Sequence, residues 1–190
     1  MRYFLVDKTV FDNNKVGMYG KLIYAILCKF LNADGTCFPS RKTISKCGNF
    51  SISTYNKYVS VMLLENVLEK KIRVRKNGSQ TSNLFKLKKN KENSFPVRSD
   101  IFSKGLSSTA VCVYICLARH VAEDNCCRVS QHLIAEKCSI SISSVIRAVK
   151  ELKSANMLET IKQTNINNNG NYVLLYRSVS YTHLTLPTNS

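Results

Sequence analysis

The side chains that stand out in this sequence are basic, and they are suited to binding. The stretch KKIRVRK places five Lys or Arg among the seven residues 70–76. The whole chain has 28 Lys and Arg against 12 Asp and Glu, a net charge of +16. Such an excess predicts a polyanionic partner, and nucleic acid before a membrane surface. Because residues 1–90 carry a net charge of +12 and residues 91–190 only +4, we expect the two halves to bind unequally.

No pattern of residues predicts an enzyme or a metal centre. The sequence has no P-loop, dinucleotide-binding, metalloprotease or nucleophile-elbow motif. Its histidines, His120, His132 and His183, are scattered along the chain. None of the eight cysteines forms the C-x-x-C pair typical of zinc sites. We expect buried or half-buried free thiols, and no catalytic residue, metal, cofactor or small-molecule ligand.

The N-terminal residues bear on where the protein is located in the cell. The N-terminal residues do not resemble a signal peptide, because Asp7 interrupts them and no small-residue cleavage site follows. No apolar run approaches the roughly 18 residues of a membrane span. We therefore expect a cytoplasmic protein without membrane contact. Residues 179–190 include VSYTHLTLPT, which resembles a translated sequencing adaptor, so we predict an artefact or a disordered tail there.

The chain contains an internal repeat with an offset of 90 residues. Tyr24 aligns with Tyr114, and Ser51-Ile52-Ser53 aligns with Ser141-Ile142-Ser143. This period exceeds the roughly 20–50 residues of solenoid repeats, so it predicts two copies of one domain. We predict domains at residues 1–89 and 99–178, with a linker and lead-in at 90–98. Upstream, a shift of one more residue aligns two further pairs, which are Val6 with Val97 and Phe11 with Phe102.

Each copy has the same order of predicted elements: a long apolar helix, a short helix, another helix and a β-hairpin. The predicted helices are 17–32, 41–47 and 52–65 in the first copy, and 106–121, 131–137 and 142–155 in the second. The predicted N-caps are Ser40, Ser51, Ser130 and Ser141. Gly48-Asn49 should end the first short helix, because both residues tolerate positive φ. The hairpin turns are predicted at Asn77-Gly78, between the strand residues Ile72/Val74 and Leu84/Phe85/Leu87, and within 167–170.

A short helix, a tight break and a second helix form a helix-turn-helix. The long helix and the hairpin complete its core. The sequence thus predicts an α+β, mostly α fold of two tandem winged helix-turn-helix domains. In this arrangement, the second helix of each pair can enter the major groove of DNA.

The pattern DGTCFPSRKTISKCGNFSISTYNKYV, residues 34–59, resembles helix-turn-helix domain proteins of low-GC Gram-positive bacteria and their mobile elements. The segment NGSQTSNLF similarly resembles their wing. The resemblance covers about residues 1–178 and is clearer in the first copy. Tyr55 stands where Val is usual and Asn66 where Gly is usual, and the second copy has Arg128-Val129 instead of Phe38-Pro39. The resemblance implies a bacterial protein that binds double-stranded DNA.

If Tyr55, Val59 and Met62 face the core, the outward side chains of the same helix can contact DNA bases. The candidates for base contacts are Ser53, Asn56 and Lys57, with Ser143 and Arg147 in the second copy. Phosphate contacts position a protein but carry no sequence information. The candidates for them are Ser40, Arg41, Lys42, Thr54, Arg73, Arg75, Lys76 and Lys150.

Three functional hypotheses remain open from the sequence. The first is a transcription regulator of a bacterial or mobile-element locus. The second is a plasmid or phage replication initiator that binds origin repeats. In the third, the less basic second domain is a protein-docking or dimerisation module, with Glu136, Glu151 and Glu159 near its helix-turn-helix. A homodimer is compatible with each hypothesis.

Overall fold

The computed structural model describes residues 2–87, 92–122, 124, 126–164 and 172–178. The predicted tail at 179–190 and the predicted second turn at 167–170 lie outside these described residues. The fold is α+β, with helices dominating over short strands.

The first half of the chain begins with a strand and ends with a β-hairpin. Its elements are β1 (Tyr3–Asp7), α1 (Lys8–Asp12), a 3-10 helix (Asn14–Val16), α2 (Gly17–Lys29), β2 (Thr36–Cys37), α3 (Arg41–Gly48), α4 (Ile52–Leu64), β3 (Leu68–Lys71) and β4 (Leu84–Leu87).

The second half follows the same order apart from α1. Its elements are β5 (Ser94–Arg98), a 3-10 helix (Ser99–Ser103), α5 (Ser108–Arg119), β6 (Cys126–Cys127), α6 (Gln131–Cys138), α7 (Ile142–Ser154), β7 (Leu158–Thr164) and β8 (Tyr172–Ser178). Each half has one three-stranded antiparallel sheet, in the orders β2-β4-β3 and β6-β8-β7.

Serine caps begin α3, α4, α6 and α7, as predicted. In each case the hydroxyl oxygen accepts a hydrogen bond from a backbone N–H in the first helical turn, which satisfies an otherwise unpaired donor. The capping residues are Ser40, Ser51, Ser130 and Ser141. The long helix α5 is shorter than the predicted 106–121, because Ser107 is extended and caps it instead. Likewise, α2 ends before residue 32, because the Asn32 N–H bonds to the Thr36 carbonyl in the following turn.

A residue in the left-handed backbone conformation follows each of α3, α4, α6 and α7 and sets the direction of the chain there. Asn49 has φ of 52° between α3 and α4, as Gly48-Asn49 predicted, and Ser139 has φ of 55° at the equivalent place. Asn66 and Asn156, which follow α4 and α7, have φ of 54° and 52°. Asn tolerates this region better than most residues, which explains why Asn66 can stand where Gly is usual.

The first hairpin is confirmed at its turn and in its second strand, but its first strand ends before the predicted residues Ile72 and Val74. Gly78 has φ of 79°, and the side chain of Asn77 accepts a hydrogen bond from the Ser79 N–H. Regular pairing with β4 ends at Lys71. Beyond it, Ile72 and Val74 are 66% and 61% exposed, because nothing in the described chain packs over them.

The predicted linker and lead-in at 90–98 contains a strand. Residues 94–98 form β5, which pairs antiparallel with β1. Phe4, Val6, Phe95 and Val97 point inward and are buried. This strand was not predicted, because its partner lies about ninety residues away and Pro96 interrupts the local pattern.

The two halves share one hydrophobic core. Helices α2 and α5 pack against each other and are buried on nearly all sides, as expected for helices that are apolar around their circumference. All eight cysteines are free, and all except the half-buried Cys47 are buried, as predicted. The division into domains at 1–89 and 99–178 stays a prediction.

Candidate nucleic-acid interface

Helix α4 has one buried face and one open face. Tyr55, Val59 and Met62 are buried, as predicted. The side chains that point outward between them are exposed, namely Ser53, Asn56, Lys57 and Ser60. The three predicted base-contacting side chains of the first half therefore lie together on the open face, near the start of the helix.

The first turn of α4 is held by hydroxyl groups. Ser51 Oγ accepts a hydrogen bond from the Thr54 N–H at 3.1 Å. The same oxygen lies 2.7 Å from Ser53 Oγ and 2.9 Å from Thr54 Oγ1. Ser53 and Thr54 therefore help to fix the helix start, and only Ser53 is exposed. Lys57 extends over the ring of Tyr58, with Nζ at 5.6 Å from the ring centroid.

An open groove of about 320 Å³ lies between the start of α3 and the first hairpin. Arg41 and Lys42 line one side, and Arg75 lines the other. Residues 80–83 of the hairpin complete its wall. The first residues of a helix also present unpaired N–H groups and a positive dipole end. The groove can therefore hold an anion such as a backbone phosphate.

The basic residues of the hairpin are not equivalent. Arg75 faces the groove, whereas Arg73 lies over the ring of Phe38, with its guanidinium carbon 4.9 Å from the ring centroid. Lys76 is exposed beside the turn. The predicted basic cluster is thus divided between the groove, a cation–π contact and the hairpin tip. Cation–π contacts of exposed arginines typically contribute about 0.5–1 kcal/mol, so Arg73 helps to position the hairpin.

Tyr55 connects α4 to the base of the same hairpin. Burial raises the pKa of Tyr55, while a side-chain hydrogen bond with Asn83 and the charge of Arg41 act in the opposite direction. The larger residue at this position, which departs from the usual Val, therefore joins α4 to the groove wall.

Helix α7 repeats the arrangement of α4. Its buried residues are Val145, Ala148, Val149 and Leu152. Ser143, Arg147 and Lys150, the predicted contact residues, are exposed on the opposite face. Arg147 Nη2 donates to Ser144 Oγ at 3.3 Å, which orients the guanidinium along the helix surface.

One acidic residue of the second half is used within the chain. Glu151 accepts hydrogen bonds from the Ser107 N–H at 2.5 Å and from Ser107 Oγ at 2.6 Å. From α7, it therefore supports the start of α5. Glu136 and Glu159 remain exposed.

The residues that support the basic side chains were not predicted from the sequence. Phe38 and residues 80–83 were part of the recognised pattern, but no role was assigned to them. An aromatic residue directly before Pro39 was the available signal for Phe38. For residues 80–83 no signal was available, because their place in the groove depends on how the hairpin folds back on α3.

The described helices include none that is long and apolar enough to cross a membrane. Within the described ranges, no cluster of His, Cys, Asp and Glu is arranged to hold a metal ion.

Comparison with known proteins identifies one part of the chain. A family model described as a helix-turn-helix domain matches residues 104–158, which run from just after the 3-10 helix at 99–103 to the first residue of β7. No curated protein matches the chain. The match falls on the second repeat, whereas the sequence resemblance was clearer in the first. The chain thus contains a helix-turn-helix domain formed around α6 and α7. A domain of this type indicates DNA as a partner.

Proposed function

We propose that the chain is a cytoplasmic, sequence-specific double-stranded DNA-binding protein with two tandem winged helix-turn-helix units. The observation that carries the proposal is the exposed face of α4, where Ser53, Asn56 and Lys57 lie together. The proposal extends the helix-turn-helix assignment from the second repeat to the first, because both repeats have the same order of helices and the same left-handed break.

In the first unit, α4 enters the major groove. The Asn56 amide can bond adenine through N6 and N7, and the Lys57 ammonium can reach O6 and N7 of guanine. Arg41, Lys42 and Arg75 neutralise a phosphate of the adjoining backbone in the groove beside α3. This division gives Asn56 and Lys57 the sequence preference, and gives the three basic residues the position on DNA.

In the second unit, α7 makes the equivalent approach. Arg147 is suited to a bidentate contact with guanine, and Lys150 lies one turn further along the helix, where it can meet a phosphate. Ser143 occupies the place of Ser53. Because these side chains are exposed, the second unit has its own contact surface, which favours DNA binding over a purely protein-docking role.

The biological role we propose is transcription regulation at a bacterial or mobile-element locus. A replication initiator is the second candidate, because two complete reading units in one chain also suit the repeated sequences of an origin. Loss of the encoding gene from its own replicon distinguishes a regulator from an initiator. Loss of plasmid or phage maintenance supports an initiator, whereas altered transcript levels with normal maintenance support a regulator.

The test of DNA reading is selection of random duplexes by the full chain at about 150 mM salt. We expect enrichment of a defined motif, and loss of that enrichment in N56A/K57A. The matched control is K15A, because Lys15 is 79% exposed and contacts Glu65 beyond the C-terminal end of α4. K15A should select the same motif as the wild type. A wild-type chain that enriches no motif contradicts the proposal.

A further inference from the structure

The two halves of the chain are related by an approximate two-fold axis, which the β1–β5 pair shows most directly. Phe4 and Val6 of β1 correspond in the repeat to Phe95 and Val97 of β5. The register pairs Phe4 with Val97 and Val6 with Phe95. Equivalent residues therefore exchange partners, as in a two-fold interface. A repeat related by translation would place equivalent strands parallel to each other.

Hydrogen bonds between the halves show the same exchange. Ser108 Oγ in α5 donates to the carbonyls of Gly48, at 2.7 Å, and Asn49, at 2.9 Å, at the end of α3. In the other direction, Lys21 Nζ in α2 donates to the Lys137 carbonyl near the end of α6, at 2.6 Å. The long helix of each half thus bonds to the short-helix end of the other half.

The 3-10 helices repeat this reciprocal contact. Residues 99–103 of the second half contact α3, and residues 14–16 of the first half contact α6. Helices α2 and α5, which are equivalent in the repeat, pack against each other in the shared core. Strand register, hydrogen bonds and helix packing therefore all relate the halves by rotation, and the shared core fixes their orientation.

We infer that the preferred target of the chain is a pair of half-sites in inverted orientation on one duplex. The inference rests on the proposed DNA-binding function. Two reading helices related by a two-fold axis match the two-fold symmetry of duplex DNA, so they meet the same sequence on opposite strands. A direct repeat would present one of the two half-sites in the wrong orientation. A single chain thereby supplies what helix-turn-helix proteins otherwise achieve as dimers.

The two half-sites are not identical, because the exposed residues of the helices differ. The positions of Asn56 and Lys57 in α4 are occupied in α7 by Ile146 and Arg147. Lys and Arg both suit guanine, whereas Asn suits adenine and an apolar side chain suits the thymine methyl group. The target is therefore an imperfect palindrome. Its two half-sites share the guanine preferred by Lys57 and Arg147, and they differ at the base contacted by Asn56 in one half and Ile146 in the other.

Three duplexes of equal length test the orientation, each built from the motif that the full chain selects. One duplex carries the two half-sites inverted, one carries them in direct orientation, and one carries a single half-site with the other scrambled. We expect one chain per inverted duplex, bound about 100-fold more tightly than the scrambled duplex, because the second contact is intramolecular. Equal affinity for the direct and inverted duplexes, or no gain from the second half-site, overturns the inference.

The variant N56I/K57R gives α4 the contact residues of α7 at two exposed positions. We expect its selected motif to become a more regular palindrome, in which the α4 half-site approaches the sequence of the α7 half-site. A selected motif that changes without gaining inverted symmetry contradicts the two-fold account. Since both positions are exposed, the variant should fold like the wild type, which its circular dichroism spectrum can verify.

The outcomes separate this inference from the proposed function. If the wild type selects one half-site that is lost in N56A/K57A, but shows no inverted second half-site, DNA reading stands and the two-fold target fails. If the wild type selects no sequence at all, the proposed function fails first.

Discussion

In the first half, five basic residues lie in the hairpin stretch 70–76, which follows α4, the helix that carries Asn56 and Lys57. In the second half, the corresponding strand β7 begins Leu-Glu-Thr-Ile, and the basic residues of the candidate surface lie on α7 itself, at Arg147 and Lys150. The scaffold is shared, but the place of the positive charge differs.

This difference distinguishes non-specific affinity for the DNA backbone from recognition of the base sequence. Phosphate contacts dominate affinity and are sensitive to salt, whereas base contacts dominate specificity. We expect the first half to supply most of the salt-dependent affinity through its groove and hairpin, and both halves to supply sequence preference. The larger net charge of residues 1–90 agrees with this division.

The largest effect is expected from R73A/R75A/K76A. The variant removes Arg75 from the groove, the contact of Arg73 with Phe38 and the charge at the hairpin tip. It should weaken binding to every sequence by roughly 100-fold at about 150 mM salt, and should make the log–log salt slope less negative by up to about 3. For the wild type, with about six neutralised phosphates, we expect a slope near −5. Titrations of a fluorescent duplex at several salt concentrations measure both quantities.

The matched control for the hairpin variant removes three lysines elsewhere, as K8A/K15A/K104A. It has the same change in net charge but leaves the groove intact. A similar loss of affinity in both variants would show that the charge acts through the whole chain, and would remove the special role of the first hairpin.

The reading helices should show separate effects on the two half-sites. N56A/K57A should lower discrimination at the α4 half-site by about 10–100-fold, since a bidentate base contact contributes about 1–3 kcal/mol. R147A should have a similar effect at the α7 half-site alone. Binding to duplexes with single base changes measures both. If R147A changes no base preference, the second half does not read DNA, and the docking hypothesis gains support.

The contact between the halves should matter for stability. Ser108 donates to two carbonyls at the end of α3, and S108A leaves these acceptors without that donor. We expect a loss of about 1–3 kcal/mol in the free energy of unfolding, measured by urea denaturation of the full chain. S103A, at an exposed serine, is the control and should cost under about 0.5 kcal/mol. Equal effects would show that the Ser108 contact does not hold the halves together.

The smallest effect concerns Asp12, which accepts hydrogen bonds from Arg119 at 2.8 Å and from Lys137 at 3.0 Å. Burial alone would raise the pKa of Asp12, but these hydrogen bonds outweigh it and lower the pKa. Its stabilising contribution is therefore present above the ordinary value of about 3.9 and is lost as the pH falls through the lower folded value.

We expect D12N to cost under about 1 kcal/mol at pH 7, because the pair is partly exposed. Wild type and D12N should approach equal stability as the pH falls through the lowered pKa of Asp12, as thermal or urea unfolding at several pH values can measure. A difference that persists at low pH would contradict the electrostatic explanation.

Local features of the fold could be predicted from the sequence. Serine caps, the break at Gly48-Asn49 and the turn at Asn77-Gly78 depend on residues close in sequence, and the structure has each of them. The exposed face of α4 followed from helical spacing alone. The start of α5 was misplaced, because its cap at Ser107 is supported by Glu151, which lies 44 residues away.

The relation between the halves could not be predicted. The β1–β5 pair joins segments about ninety residues apart, and Pro96 conceals the alternation of Phe95 and Val97. Lys21, within the apolar helix α2, is fully buried and bonds to the other half, which no local pattern predicts. The groove between α3 and the hairpin also depends on packing that no local pattern encodes.

On the proposed function, the chain reads DNA sequence through α4. The most direct test is the ratio of dissociation constants for the selected duplex and a scrambled duplex of equal composition, measured with the full chain at about 150 mM salt. We predict a ratio of about 1,000 or more for the wild type, with a marked fall in N56A/K57A and no change in K15A. A wild-type ratio near one would contradict the account and leave only non-specific attraction to a polyanion.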